Sequence, residues 1–206
     1  MAKILCISGP SSSGKTSLLN LLASDECKEE FKKANIKIQF YPEFIRTYVK
    51  NYSNKSFQEI CKSPIDAFNL QINICDFTRE QYSLLLNNPS DIVILDRSPL
   101  DLIVYLFLNY MSLPENKMIS QARIFQYALN DAKELATYVD INYLATIDVT
   151  NYLPENDGFR PKQYIIKRAL EIELFNLISL FPNIKKLPDG LETRASLILD
   201  DILRLI

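Results

Sequence analysis

The sequence predicts an α/β fold in three layers, a five-stranded parallel sheet with helices on both faces. Three observations predict it. Short apolar runs rich in Ile, Val, Leu and Tyr recur along the chain, longer stretches at helical period separate them, and a glycine-bearing turn joins the first run directly to the first helical stretch. Strands that alternate with helices imply right-handed crossovers, and hence parallel pairing in a sheet covered on both sides.

In chain order, KILCIS (3–8) reads as the first buried strand and residues 15–24 as the helix after it. DECKEEFKK (25–33) mixes both charges and reads as a solvated face. KIQFY (37–41) is the second strand; a helical stretch over 44–62, broken in two, follows, and then one over 64–87 opened by Pro64. DIVIL (91–95) is the third strand, with helices over 99–111 and 118–137 behind it, and NYLATI (142–147) is the fourth. The polar segment NYLPENDGFRPK (151–162) reads as a loop over a site, Pro161 opens a helix over 162–181, NIKKL (183–187) is a weaker fifth strand, and a helix covers 191–205. No repeat or linker divides the chain, so the expectation is one domain over 1–206 with a lid at about 151–165.

Composition removes several classes of function. A net charge of −2 and a pI near 5.3 give no global field for nucleic acid, so any anion site is local. No stretch of eighteen apolar residues spans a membrane, and MAKILCISGP is too short and too quickly interrupted for a secretory leader. Cys6, Cys27, Cys61 and Cys75 include no CxxC pair, which argues against zinc and a disulfide framework and for reduced thiols in the cytoplasm. Histidine is absent, which removes Ser-His-Asp catalysis, His-ligated metals and imidazole bases. Chemistry falls to carboxylates, Lys, Arg, hydroxyls, main-chain amides and a bound ion.

GPSSSGKT (9–16) matches GxxxxGK[ST] and sits where its mechanism needs it, between a strand and a helix. It uses two of only four glycines. Amides from Ser12 to Thr16 would converge on a β-phosphate, with Gly9 and Gly14 leaving room where a Cβ would obstruct. Pro10 has no N–H to give. The cofactor-binding set is therefore Gly9, Ser11, Ser12, Ser13, Gly14, Lys15, Thr16 and Ser17, with Lys15 reaching the β- and γ-phosphates of ATP and the Thr16 hydroxyl on Mg²⁺.

The other strand ends supply the remaining candidates. Asp96, Arg97 and Ser98 close the third strand at the carboxyl edge, where open α/β sheets bind ligands. Asp96 would hold Mg²⁺, Arg97 would meet phosphate or acceptor, and Ser98 before Pro99 would cap the next helix. Glu43 ends the second strand, with Arg46 one helical turn on. On helix 64–87, Arg79 falls inside the apolar stripe and Gln71 at its edge, so either the Arg79 stem snorkels or the stripe opens onto a cavity where both meet a polar ligand. Arg160, in DGFR, would bring charge from the lid to a transferring phosphoryl group, with Arg168 two turns into the next helix. The fourth glycine, in LPDGLETR (187–194), would shape a loop near the adenine. No NKxD element for guanine is present; NKSF and NKMI lack the Asp.

The ordered set of P-loop, PEFIR, LDRSPLD, DGFR and LETRASLIL resembles the NadR-type ribosylnicotinamide kinases and their AAA-labelled ATP-binding relatives over nearly the whole chain. It is also similar to deoxynucleoside kinases, whose pattern implies Glu43 as base, Gln71 reading a nucleobase, Asp96-Arg97-Ser98 as the (D/E)RS motif and Arg160 on the lid. Either resemblance implies the P-loop NTPase fold; the family's strand order is 2-3-1-4-5. The expected activity is ATP- and Mg²⁺-dependent transfer of a γ-phosphoryl group to a hydroxyl of a nucleoside-like small molecule, nicotinamide riboside or a deoxynucleoside. Lys15, Glu43, Asp96, Arg97 and Arg160 form the catalytic set, Glu43, Arg46, Gln71, Arg79 and Arg97 bind the acceptor, and Glu43 or Asp96 takes the hydroxyl proton. The alternative is an ATP-binding switch acting through a protein partner; a kinase of modified DNA bases sits poorly with the acidic balance. Oligomeric state stays open. Side chains of 9–16 filling their own hollow while Asp96 points away would defeat the whole reading.

Overall fold

The computed structural model describes residues 2–52, 57–145, 165–178 and 183–205. Five strands, β1 (Lys3–Ser8), β2 (Ile38–Tyr41), β3 (Ile92–Asp96), β4 (Ile141–Leu144) and β5 (Ile184–Lys186), form one sheet in the order β2-β3-β1-β4-β5. Every pairing is parallel, and β1 lies at the centre, with Leu5 opposite Ile94 on one side and Ile141 on the other. The central strands are buried on both faces, which explains why they read as continuous apolar runs rather than alternating ones.

The period of two along β1 divides the core. Leu5 and Ile7 face helices α1 (Lys15–Leu22), α2 (Asp25–Lys33) and α9 (Leu191–Arg204), packing on Leu18, Leu22, Phe31, Ile198 and Ile202. Ile4 and Cys6 face the opposite layer, where Tyr82 and Leu85 of α5 (Pro64–Leu85) and Leu135 of α7 (Glu115–Ala136) meet them. In that layer α6 (Pro99–Met111) packs on α5 and α7 through Phe68, Leu102, Leu106 and Leu129, and on α8 (Ile165–Ile178) through Val104, Leu108, Phe175 and Ile178. Two short helices, α3 (Phe44–Tyr52) and α4 (Phe57–Ile60), fill the expected broken stretch.

One element differs in kind from its sequence reading. The charged run 25–33 is a helix, opened by the Ser24 side chain accepting from the Cys27 N–H and held by Phe31, buried in the core. Acidic residues in its first turn and lysines in its last match the helix dipole. The ion pairs Lys33–Glu30 (2.6 Å) and Lys28–Asp25 (3.7 Å) lie on its solvated side. The strand at 142–147 begins one residue earlier, and its described part ends at Leu144. No described helix is long and apolar enough to cross a membrane.

Candidate active site

The glycine-bearing turn leaves β1 at the carboxyl edge of the sheet and enters α1. Gly9 has φ +142°, and a Cβ there would stand 2.3 Å from the Ala145 carbonyl oxygen at the end of β4. Its glycine requirement therefore comes from its own φ and from the backbone that follows the neighbouring strand, in line with the expectation that a Cβ would obstruct here. Gly14, at φ +81°, is the N-cap of α1; a Cβ would touch only Arg194 Nη1, at 3.8 Å, so here conformation is the constraint. No side chain caps α1, and its first turn holds no acidic residue, which leaves the amide end of the helix dipole to an anion.

Lys15 is buried, and its three protons go to the Gly9 carbonyl (2.8 Å), the Pro10 carbonyl (2.7 Å) and Ser13 Oγ (3.3 Å). Burial first, and then the Arg97 guanidinium, bring its pKa down to about 8. The ammonium thus occupies the hollow of its own loop. Asp96, however, turns toward that hollow: Thr16 donates to Asp96 Oδ2 at 2.6 Å, while Asp96 Oδ1 is buried without a hydrogen-bond partner among the described residues. Burial raises the Asp96 pKa, and the Thr16 hydrogen bond and the Arg97 and Lys15 charges offset this only in part. An orphaned carboxylate oxygen beside a threonine hydroxyl fits a hard divalent cation of the Mg²⁺ type, which takes one or two protein oxygens and completes its shell with phosphate and water.

Arg97 follows at φ +80°, its N–H still paired to Ile7 O at 3.0 Å, so the sheet holds a non-glycine residue in the left-handed region. The turn aims its guanidinium across the strand ends. Nε donates to Glu43 Oε1, Nη1 to Asp101 Oδ1 (3.3 Å) and to the Tyr105 hydroxyl (3.1 Å), and the Tyr105 ring centroid lies 5.1 Å away. Glu43 also accepts from Arg46 Nε at 3.0 Å. Burial pushes the Glu43 carboxyl up, but Arg97, Lys15 and Arg46 together overcome it and hold the group ionised below its usual range. Ser98 is the predicted cap, in a capping box with Asp101, and its Oγ also meets Ser8 Oγ (2.5 Å) and Asn142 Nδ2 (2.9 Å) in a buried polar cluster under β1, β3 and β4.

The predicted residues divide accordingly. Lys15, Thr16, Glu43, Arg46, Asp96 and Arg97 come together at one sheet edge. Ser12 (φ +61°) and Ser13 shape the loop, and Ser17 lies exposed in the first turn of α1. Gln71 is buried and hydrogen-bonds Cys75 on its own helix. Arg79, half-exposed, is paired with Asp131 of α7 at 2.5 Å, about 12 Å further along α5 than Gln71 at 1.5 Å per residue. The apolar stripe let its stem pass and gave its charge a partner on the neighbouring helix. Arg160, Pro161 and all of the expected lid at 151–165 but its last residue lie outside the described residues.

Sequence reasoning passed over four residues at this edge. Asp101 was signalled by the Ser98-x-x-Asp101 spacing. Arg194, on the apolar stripe of α9 with Ile198 and Ile202, donates to Ser13 O (2.8 Å) and Pro188 O (2.7 Å), fastening the loop after β5 to the turn. A charged residue on an apolar stripe was the available signal, as at Arg79. Tyr105 and Glu171 carried none.

No curated protein matches this chain. Among solved structures, a NadR protein in complex with NR is similar at TM-score 0.60 and 19% identity over 98% of this chain and 50% of that one. This chain thus spans half the length of that NadR chain. Thymidylate kinase from Ehrlichia chaffeensis is similar at TM-score 0.59 and 14% identity, with 98% of each chain covered. These likenesses are of fold, the five-stranded parallel architecture of P-loop NTPases. The AAA domain family model matches residues 4–164, from β1 through the end of the fourth strand and beyond, and the chain belongs to that family.

Proposed function

We propose that the protein is a kinase that moves the γ-phosphoryl group of ATP to a hydroxyl of a nucleoside-like small molecule. The observation that carries the reading is the convergence of Thr16 and Asp96 at the mouth of an uncapped P-loop, with the Glu43–Arg97 pair beside it. Loop amides and Lys15 hold the donor; on meeting a phosphate, Lys15 exchanges at least one of its three loop oxygens for a stronger anionic partner. Thr16 Oγ1 and Asp96 would hold Mg²⁺, which when bound neutralises charge on the phosphates. With Asp96 so engaged, Glu43 is the carboxylate left for the acceptor. Its lowered pKa suits a hydrogen-bond acceptor that orients the hydroxyl, and phosphoryl transfer asks for positioning more than for base strength. Arg97 sits between the two halves, and Arg160 is assigned to the migrating charge from the lid at 151–165.

A small neutral or cationic nucleoside suits this edge better than nucleic acid, given the acidic balance of the chain. Nicotinamide riboside and deoxynucleosides are the first acceptors to test, and four free thiols accord with a reducing cytoplasm. ATP consumption is measured with and without a panel of these nucleosides, with product mass as the readout. One acceptor is expected to stimulate ADP formation, and Lys15→Ala to abolish it. Indifference to every acceptor overturns the reading and favours a nucleotide switch acting through a protein partner; retained turnover in Lys15→Ala removes the donor-site assignment.

A further inference from the structure

Arg97 reaches Glu43 on one side and, through one phenol, the P-loop on the other. The Tyr105 hydroxyl accepts from Arg97 Nη1 (3.1 Å), donates to Glu171 Oε1 of α8 (2.6 Å) and lies 3.1 Å from Ser11 Oγ. The same Glu171 oxygen accepts from the Ser11 N–H (2.8 Å) and from Ser11 Oγ (3.2 Å). Glu171 is buried, and the Tyr105 ring also packs edge-on against Phe175 of α8, centroids 6.4 Å apart. Four elements remote in sequence therefore meet at one hydroxyl: the loop after β1, the end of β3, helix α6 and helix α8.

Proton directions in this chain of contacts are fixed by chemistry. An ionised carboxylate only accepts, and a guanidinium only donates. Tyr105 keeps its proton, because burial and the Glu171 charge hold its phenol above the ordinary range despite Arg97. Its one O–H must therefore point at Glu171, which turns the oxygen lone pairs toward Arg97 Nη1 and Ser11. Without Glu171 the hydroxyl is free to rotate, and Arg97 loses a defined acceptor on that side. The guanidinium would then rest on Glu43 and Asp101, neither of which hydrogen-bonds Ser11.

We infer that Tyr105 and Glu171 are positioning residues for phosphoryl transfer, binding the Arg97 guanidinium and Ser11 of the P-loop into one hydrogen-bonded unit. The inference rests on the kinase reading for its consequence, but not for its geometry. It assigns α8 a task beyond packing: the helix that follows the lid segment grips the loop that holds the donor.

Two variants test it. Tyr105→Phe keeps the ring, the Phe175 contact and the stacking on Arg97, and removes only the hydroxyl; Glu171→Gln keeps the shape and removes the charge. The first readout needs no substrate: hydrogen exchange of the Arg97 Nη–H protons, one of which Tyr105 accepts, followed by ¹⁵N NMR in the full chain. Tyr105→Phe is expected to speed that exchange about tenfold, the worth of one lost hydrogen bond, and Glu171→Gln, which leaves the phenol a weaker neutral acceptor, to speed it by less. The second readout is turnover with the active acceptor, where kcat is expected to fall about 10- to 100-fold while KM for ATP stays within about twofold. Unchanged Arg97 exchange in both variants overturns the inference. So does faster exchange with undiminished kcat, because the guanidinium would then be held for the fold alone. If no acceptor supports turnover in the unaltered protein, the kinase reading fails, and the exchange data still decide whether Tyr105 and Glu171 hold Arg97.

Discussion

Lys15 is a buried cation among three oxygens of its own loop, beside a second cation, Arg97, and its pKa falls to about 8 from an ordinary 10.5. Between those values the unfolded chain keeps a proton that the folded one has released, so this residue's contribution to stability rises with pH across that window. An arriving triphosphate reverses the balance, since its charge stabilises the ammonium. ATP binding at about pH 9 is therefore expected to take up close to one proton, and at about pH 7 almost none. Calorimetric titration in two buffers of different ionisation enthalpy reads the difference, and Lys15→Met should show no uptake at either pH. Equal uptake in the variant would mean that the proton goes elsewhere. Glycine makes a related point at the same scale: Gly9 is required by the Ala145 carbonyl just after β4 as well as by its φ, and Gly14 by its φ alone.

The best-determined element boundary is the start of α6. Ser98 caps it, Asp101 returns the bond, and the same hydroxyl serves Ser8 and Asn142. Ser98→Ala removes a cap worth about 1 kcal/mol and strands buried polar groups besides, so urea unfolding is expected to show a loss of about 2–3 kcal/mol. A loss below about 1 kcal/mol would mean that the buried cluster re-pairs without it. That boundary could be read in advance because Ser-Pro and Ser-x-x-Asp are local signals, as were the central strands β1 and β3, whose apolar runs reflect burial on both faces. Helix α2 could not be read in this way: its run DECKEEFKK holds only Cys27 and Phe31 as apolar residues, too few to define a stripe. Tyr105 and Glu171 were hidden for another reason. Their partners lie up to 160 positions away, and no spacing rule encodes a contact that only the assembled layers create.

For the molecule as a whole, the P-loop joins the sheet to both helical layers. Arg194 of α9 holds the P-loop from one side and Glu171 of α8 from the other. A ligand bound there stabilises the entire domain by mass action, about 2.7 kcal/mol at a hundredfold excess over Kd, or about 5–11 °C in Tm for a chain of this size. Thermal unfolding with ATP alone and with ATP plus Mg²⁺ is expected to show an added shift from the metal. Asp96→Asn should lose that added shift while keeping the response to ATP alone. If it keeps both, Asp96 does not hold the cation.

The central place of β1 has a consequence for biosynthesis. Of the five strands it is the first synthesised, yet its two neighbours begin at residues 92 and 141. At 5–20 residues per second, Ile4, Leu5, Cys6 and Ile7 wait roughly 5–20 s for the first partner and longer for the second. During that interval the nascent chain carries a sticky, unpaired β-segment, the kind of sequence that chaperones shield and that crowded polysomes can pair wrongly.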